Sequence, residues 1–551
     1  VKIRQLVHTT AVCISALAYP AIGAPLKVGS GNEAVIEPDV PHPKETPCSV
    51  TLVQDAKFTG GGATYTYTPP AACPGPWAKV ILQMDFAVTA GRQYDRSGLL
   101  FLDGIPLWFG TTAEPRATLA PKWSFQKDVT DYTAIFNNSG SGSVSLYNLV
   151  NSEYTGVISL TATLLFYPPT AAAPAPVTAD VVLPLPGGGG ESALNTGTDQ
   201  MSTTTALPTN ILHATLDVYL QGQSGDEFWY SCVPNALTGE LESCGNAALR
   251  EGEVTVDGAP AGVAPIYPWI FTGGDDPYFW QPIPGVQTFN FIPFHNDLSP
   301  FAGVLSNGAT THTIAVSVYG ANGYFAATGA LRLFLDKGAT QVTGSVTKNT
   351  LTATPTPTLV TNITDANGLA TGTVDIGDQR NFTISGTAIG SAGTTVNTLA
   401  QHSRFIDRQR FAVSATKELQ DTSVSTDITI TTSSSNGGTT TTETKTLQYP
   451  VYLDADDLTA KDGSITQYGS VGQQYLSNDL VLMNGAVMSQ DSLTNTIQSS
   501  DELFLTSSYS ITGHNNQHET ASYAHTSTNA PCFKRLLEAT YSTLTTVKTG
   551  C

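Results

Sequence analysis

The stretch Val80-Ile81-Leu82-Gln83-Met84-Asp85-Phe86-Ala87-Val88 carries Val80, Leu82, Met84, Phe86 and Val88 at every second position. Side chains two apart point to one face of an extended chain, so this stretch predicts a half-buried strand. The same rhythm recurs from Ile158 to Phe166, Leu216 to Leu220, Ile314 to Val318 and Leu331 to Leu335. Asp103-Gly104 and Asp257-Gly258 lie between apolar runs, where Gly tolerates the positive φ of a tight hairpin turn. Helical spacing is nearly absent, the stretch after Cys532 being the main candidate. Many short strands with frequent turns predict an all-β chain of antiparallel sandwiches or jelly rolls.

Working outward, composition divides the chain. Lys2 and Arg4 precede an uncharged run that ends in Ala21, Gly23 and Ala24, which predicts a signal peptide over residues 1–24, cleaved near Ala24. Such a leader implies a secreted or periplasmic protein. Residues 25–47 read as an N-terminal extension and 48–167 as a first β-sandwich. Residues 168–207 read as a Pro/Gly-rich linker with one strand at Ala179 to Leu183, and 208–336 as a second sandwich. Residues 337–551 form a Thr/Ser-rich C-terminal β region. Removing Cys13 with the leader leaves six cysteines in three sequence-local pairs. In an exported chain these predict the disulfides Cys48–Cys73, Cys232–Cys244 and Cys532–Cys551.

Forty-five acidic against 25 basic residues give a net charge of −20. Basic residues are few and scattered, which excludes a phosphate-neutralising nucleic-acid surface. No segment after the leader is apolar enough to span a bilayer. The chain has no Gly-x-Ser-x-Gly elbow, no His-Glu-x-x-His and no phosphate loop. His514, His518, Glu519 and His525 would need a helix to converge on a metal, and their Asn-, Gln- and Thr-rich surroundings give none. No metal or cofactor is expected.

Two clusters carry possible chemistry. Arg92-Gln93-Tyr94-Asp95-Arg96 precedes the apolar run Leu99 to Leu102, and Asp226-Glu227-Phe228-Trp229-Tyr230 follows a strand pattern. Carboxylates beside aromatics at strand ends suit a hydrolase that activates water with one acid and binds substrate with another. All six tryptophans fall between Trp77 and Trp280, and an indole face suits a sugar ring as well as a core. Taken alone, the residues leave three readings open: a hydrolase, a glycosidase with two carboxylates, and a carbohydrate-binding module without chemistry.

At these clusters the sequence resembles the peptide N-glycosidase A family of acidic glycoamidases. The match runs through Gly91 to Arg96, Asp103 to Arg116, Lys127 to Tyr132, Asn148 to Asn151 and Tyr154 to Val157. It continues through Asp226 to Ser231, Gly245 to Glu251, Thr272 to Gly274, Trp280 to Ile283 and Leu331 to Asp336. The resemblance implies metal-free hydrolysis of the amide joining Asn to the first N-acetylglucosamine of an N-glycan, at acid pH. It implies a monomer acting on a glycoprotein or glycopeptide, with no nucleic-acid or membrane partner. More distantly, the chain is similar to the peptide N-glycosidase F enzymes, two side-by-side jelly rolls. That likeness gives Asp95 the water-activating role, Arg96 the task of keeping Asp95 ionised, and Glu227 the second acid. Trp108, Trp229 and Trp269 become candidate sugar-stacking residues, and Glu114 and Asn148 candidate substrate contacts. The third functional carboxylate of those enzymes would fall near Asn148, where this chain has none.

Overall fold

A computed structural model describes residues 26–308 and 311–551. The expected leader, its cleavage point and Cys13 lie outside the described residues. Eight strands build the first body: β1 (Cys48–Phe58), β2 (Ala63–Tyr67), β3 (Lys79–Val88), β4 (Ser97–Leu102), β5 (Ile105–Thr111), β6 (Lys122–Asp128), β7 (Gly140–Leu146) and β8 (Ile158–Tyr167). One sheet has the order β1-β8-β3-β6 and the other β2-β7-β4-β5, which is the jelly-roll arrangement. Val80, Leu82, Met84, Phe86 and Val88 are all buried between the sheets, so the alternation read from β3 is the core-facing face. Asp103 and Gly104 both have positive φ and turn β4 into β5, as the sequence predicts.

The second body repeats the plan. Its strands are β9 (Val181–Leu185), β10 (Ser192–Leu194), β11 (Met201–Thr205), β12 (Ile211–Gln223), β13 (Glu251–Val256), β14 (Ala259–Pro265), β15 (Phe294–Asp297), β16 (His312–Tyr319) and β17 (Tyr324–Leu335). Sheets β10-β17-β12-β15 and β11-β16-β13-β14 form a second jelly roll, with β9 added beside β17. This corrects the linker reading. Residues 168–207 contribute three strands: β9 answers the one expected at Ala179 to Leu183, while β10 and β11 were missed because β10 spans three residues and β11 is mostly threonine and serine. Their stability comes from ladder bonds to long neighbours rather than from an apolar stripe of their own.

A buried polar seam joins the two rolls. Lys127 Nζ donates to the Tyr219 hydroxyl at 2.7 Å, and the Tyr132 hydroxyl donates to Asp217 Oδ2 at 2.8 Å. Arg332 bridges Asp131 of the first roll and Asp217 of the second. Burial alone would raise the Asp217 carboxyl, but His295 and Arg332 hold it down to about 2. The matched stretches Lys127 to Tyr132 and Leu331 to Asp336 therefore set how one roll sits against the other.

The C-terminal region is one twelve-stranded antiparallel sheet. The segment after Cys532, expected to be helical, is instead the strand pair Phe533–Thr540 and Thr543–Gly550. One face of this sheet shares the hydrophobic core of the second roll. Amides on that face cap carbonyls of the roll. Gln401 reaches Val263 O at 3.2 Å, Gln409 Cys232 O at 3.1 Å, and Gln473 Pro268 O at 2.8 Å. Cys48–Cys73, Cys232–Cys244 and Cys532–Cys551 are disulfide-bonded, in the predicted pairing.

Candidate active site

Asp95 sits in the irregular segment that leads into β4. Its segment is pinned from both sides. Buried Gln93 donates to Leu149 O at 2.8 Å and Gly156 O at 3.1 Å, while Arg96 N donates to Thr112 Oγ1 at 3.0 Å and receives Thr112 N on its carbonyl at 2.9 Å. With the backbone fixed, the carboxylate reaches the second roll, where Gly273 N donates to Asp95 Oδ2 at 3.1 Å. Gly273 belongs to the long connection between β14 and β15.

Glu114 follows β5 and meets the same glycine. A methyl group built on Gly273 would lie 2.1 Å from Glu114 Oε2 and 3.0 Å from Asp95 Oδ1, so both carboxyls close on one point that only glycine leaves empty. The Glu114 carboxyl also accepts the backbone N–H of Asp95.

Glu227 comes from the second roll, one residue past the helical turn Ser224–Asp226. That turn is anchored by its neighbour. Asp226 is wholly buried, ion-paired with Arg250 Nε at 2.9 Å, and accepts the backbone N–H groups of Asn322 and Gly323 at 2.8 and 2.7 Å. A buried charge is tolerated only with such partners. This explains why Asp226 and Arg250 stand in the matched stretches beside Glu227.

Asp95, Glu114 and Glu227 are half-buried and feel one another. Burial raises Asp95 to about 6, with the Gly273 N–H and the Arg96 charge pulling the other way. Glu114 is raised to about 8 by burial and by the Asp95 charge, and Glu227 to about 7 by the same two causes. Between about pH 6 and 7 the set thus favours one carboxylate, Asp95, beside two mostly protonated acids, the separation of roles that acid–base catalysis requires.

Three expectations are corrected. The Arg96 guanidinium donates to Gln93 Oε1 at 2.7 Å and to the Asp95 backbone carbonyl at 3.3 Å, so its pull on the Asp95 carboxylate is outweighed by burial. Trp108, Trp229 and Trp269 are all buried and offer no face to a sugar. Trp108 donates to Phe289 O at 2.8 Å from the first core, Trp229 packs on Phe405 of the C-terminal sheet, and Trp269 packs on Phe291. Asn148 is buried as a strut, donating to Phe58 O and Gly156 O at 3.0 and 3.2 Å.

Sequence reasoning passed over two features. Gly273 was visible as one of two successive glycines, a signal of close backbone approach. The aromatic surface beside Asp95 is tyrosine, with Arg92 lying 5.7 Å from the Tyr94 ring and 5.3 Å from the Tyr154 ring. Among the described residues no three His, Cys, Asp or Glu side chains group as metal ligands. His514 lies on the strand Ile511–Ser527, where the helix a His pair would need is absent.

Residues 38–352 match the family described as peptide N-acetyl-beta-D-glucosaminyl asparaginase amidase A. The chain belongs to this family. The C-terminal sheet beyond residue 352 lies outside the matched span. A relative from Prunus dulcis, peptide-N4-(N-acetyl-beta-glucosaminyl)asparagine amidase A, is 31% identical over 353 residues. The match covers 59% of this chain and 60% of the relative, so the chain spans about three-fifths of that protein's length. Among solved structures, PNGF-II gives a TM-score of 0.37 at 12% identity, over 53% of this chain and 66% of that one. PNGase F from Flavobacterium meningosepticum gives 0.34 at 12% identity, over 53% and 96%.

Proposed function

We propose that this peptide N-glycosidase A family member is a glycoamidase that hydrolyses the amide between an Asn side chain and the proximal N-acetylglucosamine of an N-glycan. Water adds to the amide carbon, the C–N bond breaks, Asn becomes Asp, and the glycan leaves as a glycosylamine. The observation that carries the reading is the carboxyl set itself: Asp95 and Glu114 of the first roll close on Gly273, and Glu227 of the second lies near enough to feel the Asp95 charge. Asp95, the first of the three to ionise, orients the water and takes its proton. Glu227, still protonated, hands a proton to the departing nitrogen. Glu114 stays neutral beside Asp95 and supports its backbone.

Export to an oxidising compartment belongs to the same reading and is supported by the three disulfides. A monomer acting on glycopeptides suffices for it. Mass spectrometry of a treated N-glycopeptide tests the reaction. Asp at the former Asn is the expected product. An Asn still carrying one sugar would make the enzyme a glycosidase, and an untouched glycopeptide would leave only a binding protein. Asp95→Asn should keep the fold and lose glycan release.

A further inference from the structure

The loop that gives Gly273 to Asp95 does not stand alone. From Thr272 to Ile283 it lies against the C-terminal sheet, whose strands beyond residue 352 the family match does not include. Gln517 Nε2 donates to Tyr278 O at 3.0 Å and to Gln281 O at 3.1 Å. The Tyr278 ring stacks on His514 at 3.6 Å between centroids, with the planes 5° apart. Gly469 lets the Phe279 ring lie on the sheet, since a methyl group there would meet Phe279 Cζ at 2.6 Å.

Within this contact two carboxyl groups meet. Asp276 is buried on the loop side and accepts Tyr278 N on Oδ1 at 2.8 Å. Asp501 is buried on the strand Ala486–Leu505 and hydrogen-bonds the Asp276 side chain, while His514 Nδ1 lies 3.1 Å from Asp501 Oδ1. Two carboxyls can share a hydrogen bond only if one of them carries a proton. The arrangement is a single-proton clasp between the loop and the sheet, three residues from Gly273.

We propose that Asp501, on the C-terminal sheet, is a positioning residue of the active site: clasped to Asp276, it holds the loop that presents the Gly273 N–H to Asp95. The inference rests on the glycoamidase reading for its kinetic consequence only. It gives the sheet beyond the family span a task in the reaction. Loss of the clasp releases the loop, and Asp95 then loses a donor to its charged form. The groups around the pair are Asp275 and Tyr278 on the loop, Glu502 beside Asp501, His514 on the adjoining strand, and Arg116, whose charge reaches Tyr278. Burial and the Asp501 charge raise Asp276 to about 8, so the clasp is closed in acid and at neutrality and opens above that range.

Substitution and exchange test the clasp. Asp501→Ala is expected to move the acid limb of kcat/KM upward by about half to one pH unit, because a carboxylate that loses a backbone donor binds its proton more tightly. It should also lower the plateau by about tenfold, the scale of one hydrogen bond to a charged group. Asp501→Asn, whose amide pairs with Asp276 in either protonation state, is expected to bring the limb back. A merely structural role would lower the plateau without moving the limb. An unmoved limb in Asp501→Ala, or no rescue by Asn, overturns the proposal. Hydrogen exchange on the intact protein gives a readout without turnover and without the Ala variant. Corrected for intrinsic rates, amides 272–281 should lose protection as pH rises through about 8 in the wild type and keep it in Asp501→Asn. Equal protection in the two proteins across that range overturns the proposal. If the wild type releases no glycan, the glycoamidase reading falls and the exchange experiment still decides the clasp.

Discussion

The backbone N–H of Gly273 donates to Oδ2 of Asp95 at 3.1 Å, a bond that runs from the second jelly roll into the first. It ties the carboxylate proposed to activate water to a loop 178 residues downstream, and so makes the relative placement of the rolls part of the proposed chemistry. Gly273→Ala is the sharpest probe of that contact. Its methyl group would stand 2.1 Å from Glu114 Oε2, so either the glutamate swings away or the loop withdraws. Either response disturbs Asp95, and a displacement near ~1 Å costs about 100-fold in rate. The expected outcome is a kcat/KM reduced by that order, with a far-UV spectrum and Tm close to wild type.

The three carboxyls predict a bell-shaped rate profile. Asp95 must be ionised, so kcat/KM should rise through about pH 6, and Glu227 must be protonated, so it should fall through about pH 7. In Glu227→Gln the residual activity should lose its alkaline limb and keep the acid one. A profile measured on a denatured glycopeptide checks both limbs.

Arg250 predicts an effect at a distance. It neutralises the wholly buried Asp226, whose turn carries Glu227. Arg250→Met leaves that carboxylate unpaired in the interior, at a cost of about 3–5 kcal/mol. The expected result is a lower unfolding midpoint in denaturant together with a lower kcat, since Glu227 loses its fixed approach to Asp95. The double variant Asp226→Leu, Arg250→Met should recover much of the stability and little of the activity.

Much of the fold was legible because its strands obey a two-residue period. β3 and β8 each bury alternate side chains, and the Asp103-Gly104 turn carries its own signature. What escaped did so for physical reasons. β10 and β11 lack apolar stripes and borrow stability from long partners, and the twelve-stranded sheet docks through Gln401, Gln409, Gln473 and Gln517 as well as through apolar residues. Asp95 and Glu227 were singled out through a resemblance, since a lone carboxylate carries no local pattern. The tryptophans misled because an indole that fills a core and one that faces a sugar look alike in one dimension. The net pull on Asp95 was out of reach as well, because burial is a property of the assembled site and outweighs the adjacent arginine in sequence.

The carboxyl groups also predict how stability varies with pH. Glu33, Glu251 and Glu114 are raised from 4.5 to about 8 by burial, and Asp275 from 3.8 to about 7. Each binds its proton more tightly folded than unfolded, so between these ordinary and raised values the folded chain holds more protons. Stability therefore falls as pH rises across that window. Asp217 acts in the opposite sense. Held at about 2, it adds stability above its ordinary 3.8 that is lost as pH drops towards 2. The two trends meet between about pH 3 and 4, where the raised groups are protonated in the folded chain and largely so in the unfolded one, while Asp217 is ionised in the folded chain. Thermal unfolding followed from pH 3 to 9 should therefore show the highest Tm in that acid interval and a steady decline towards pH 8. Glu33→Gln and Glu251→Gln, which remove two of the raised groups, should flatten the alkaline side while leaving the acid side in place. A Tm that instead climbed from pH 5 to pH 8 would mean that these buried carboxyls are not protonated in the folded protein.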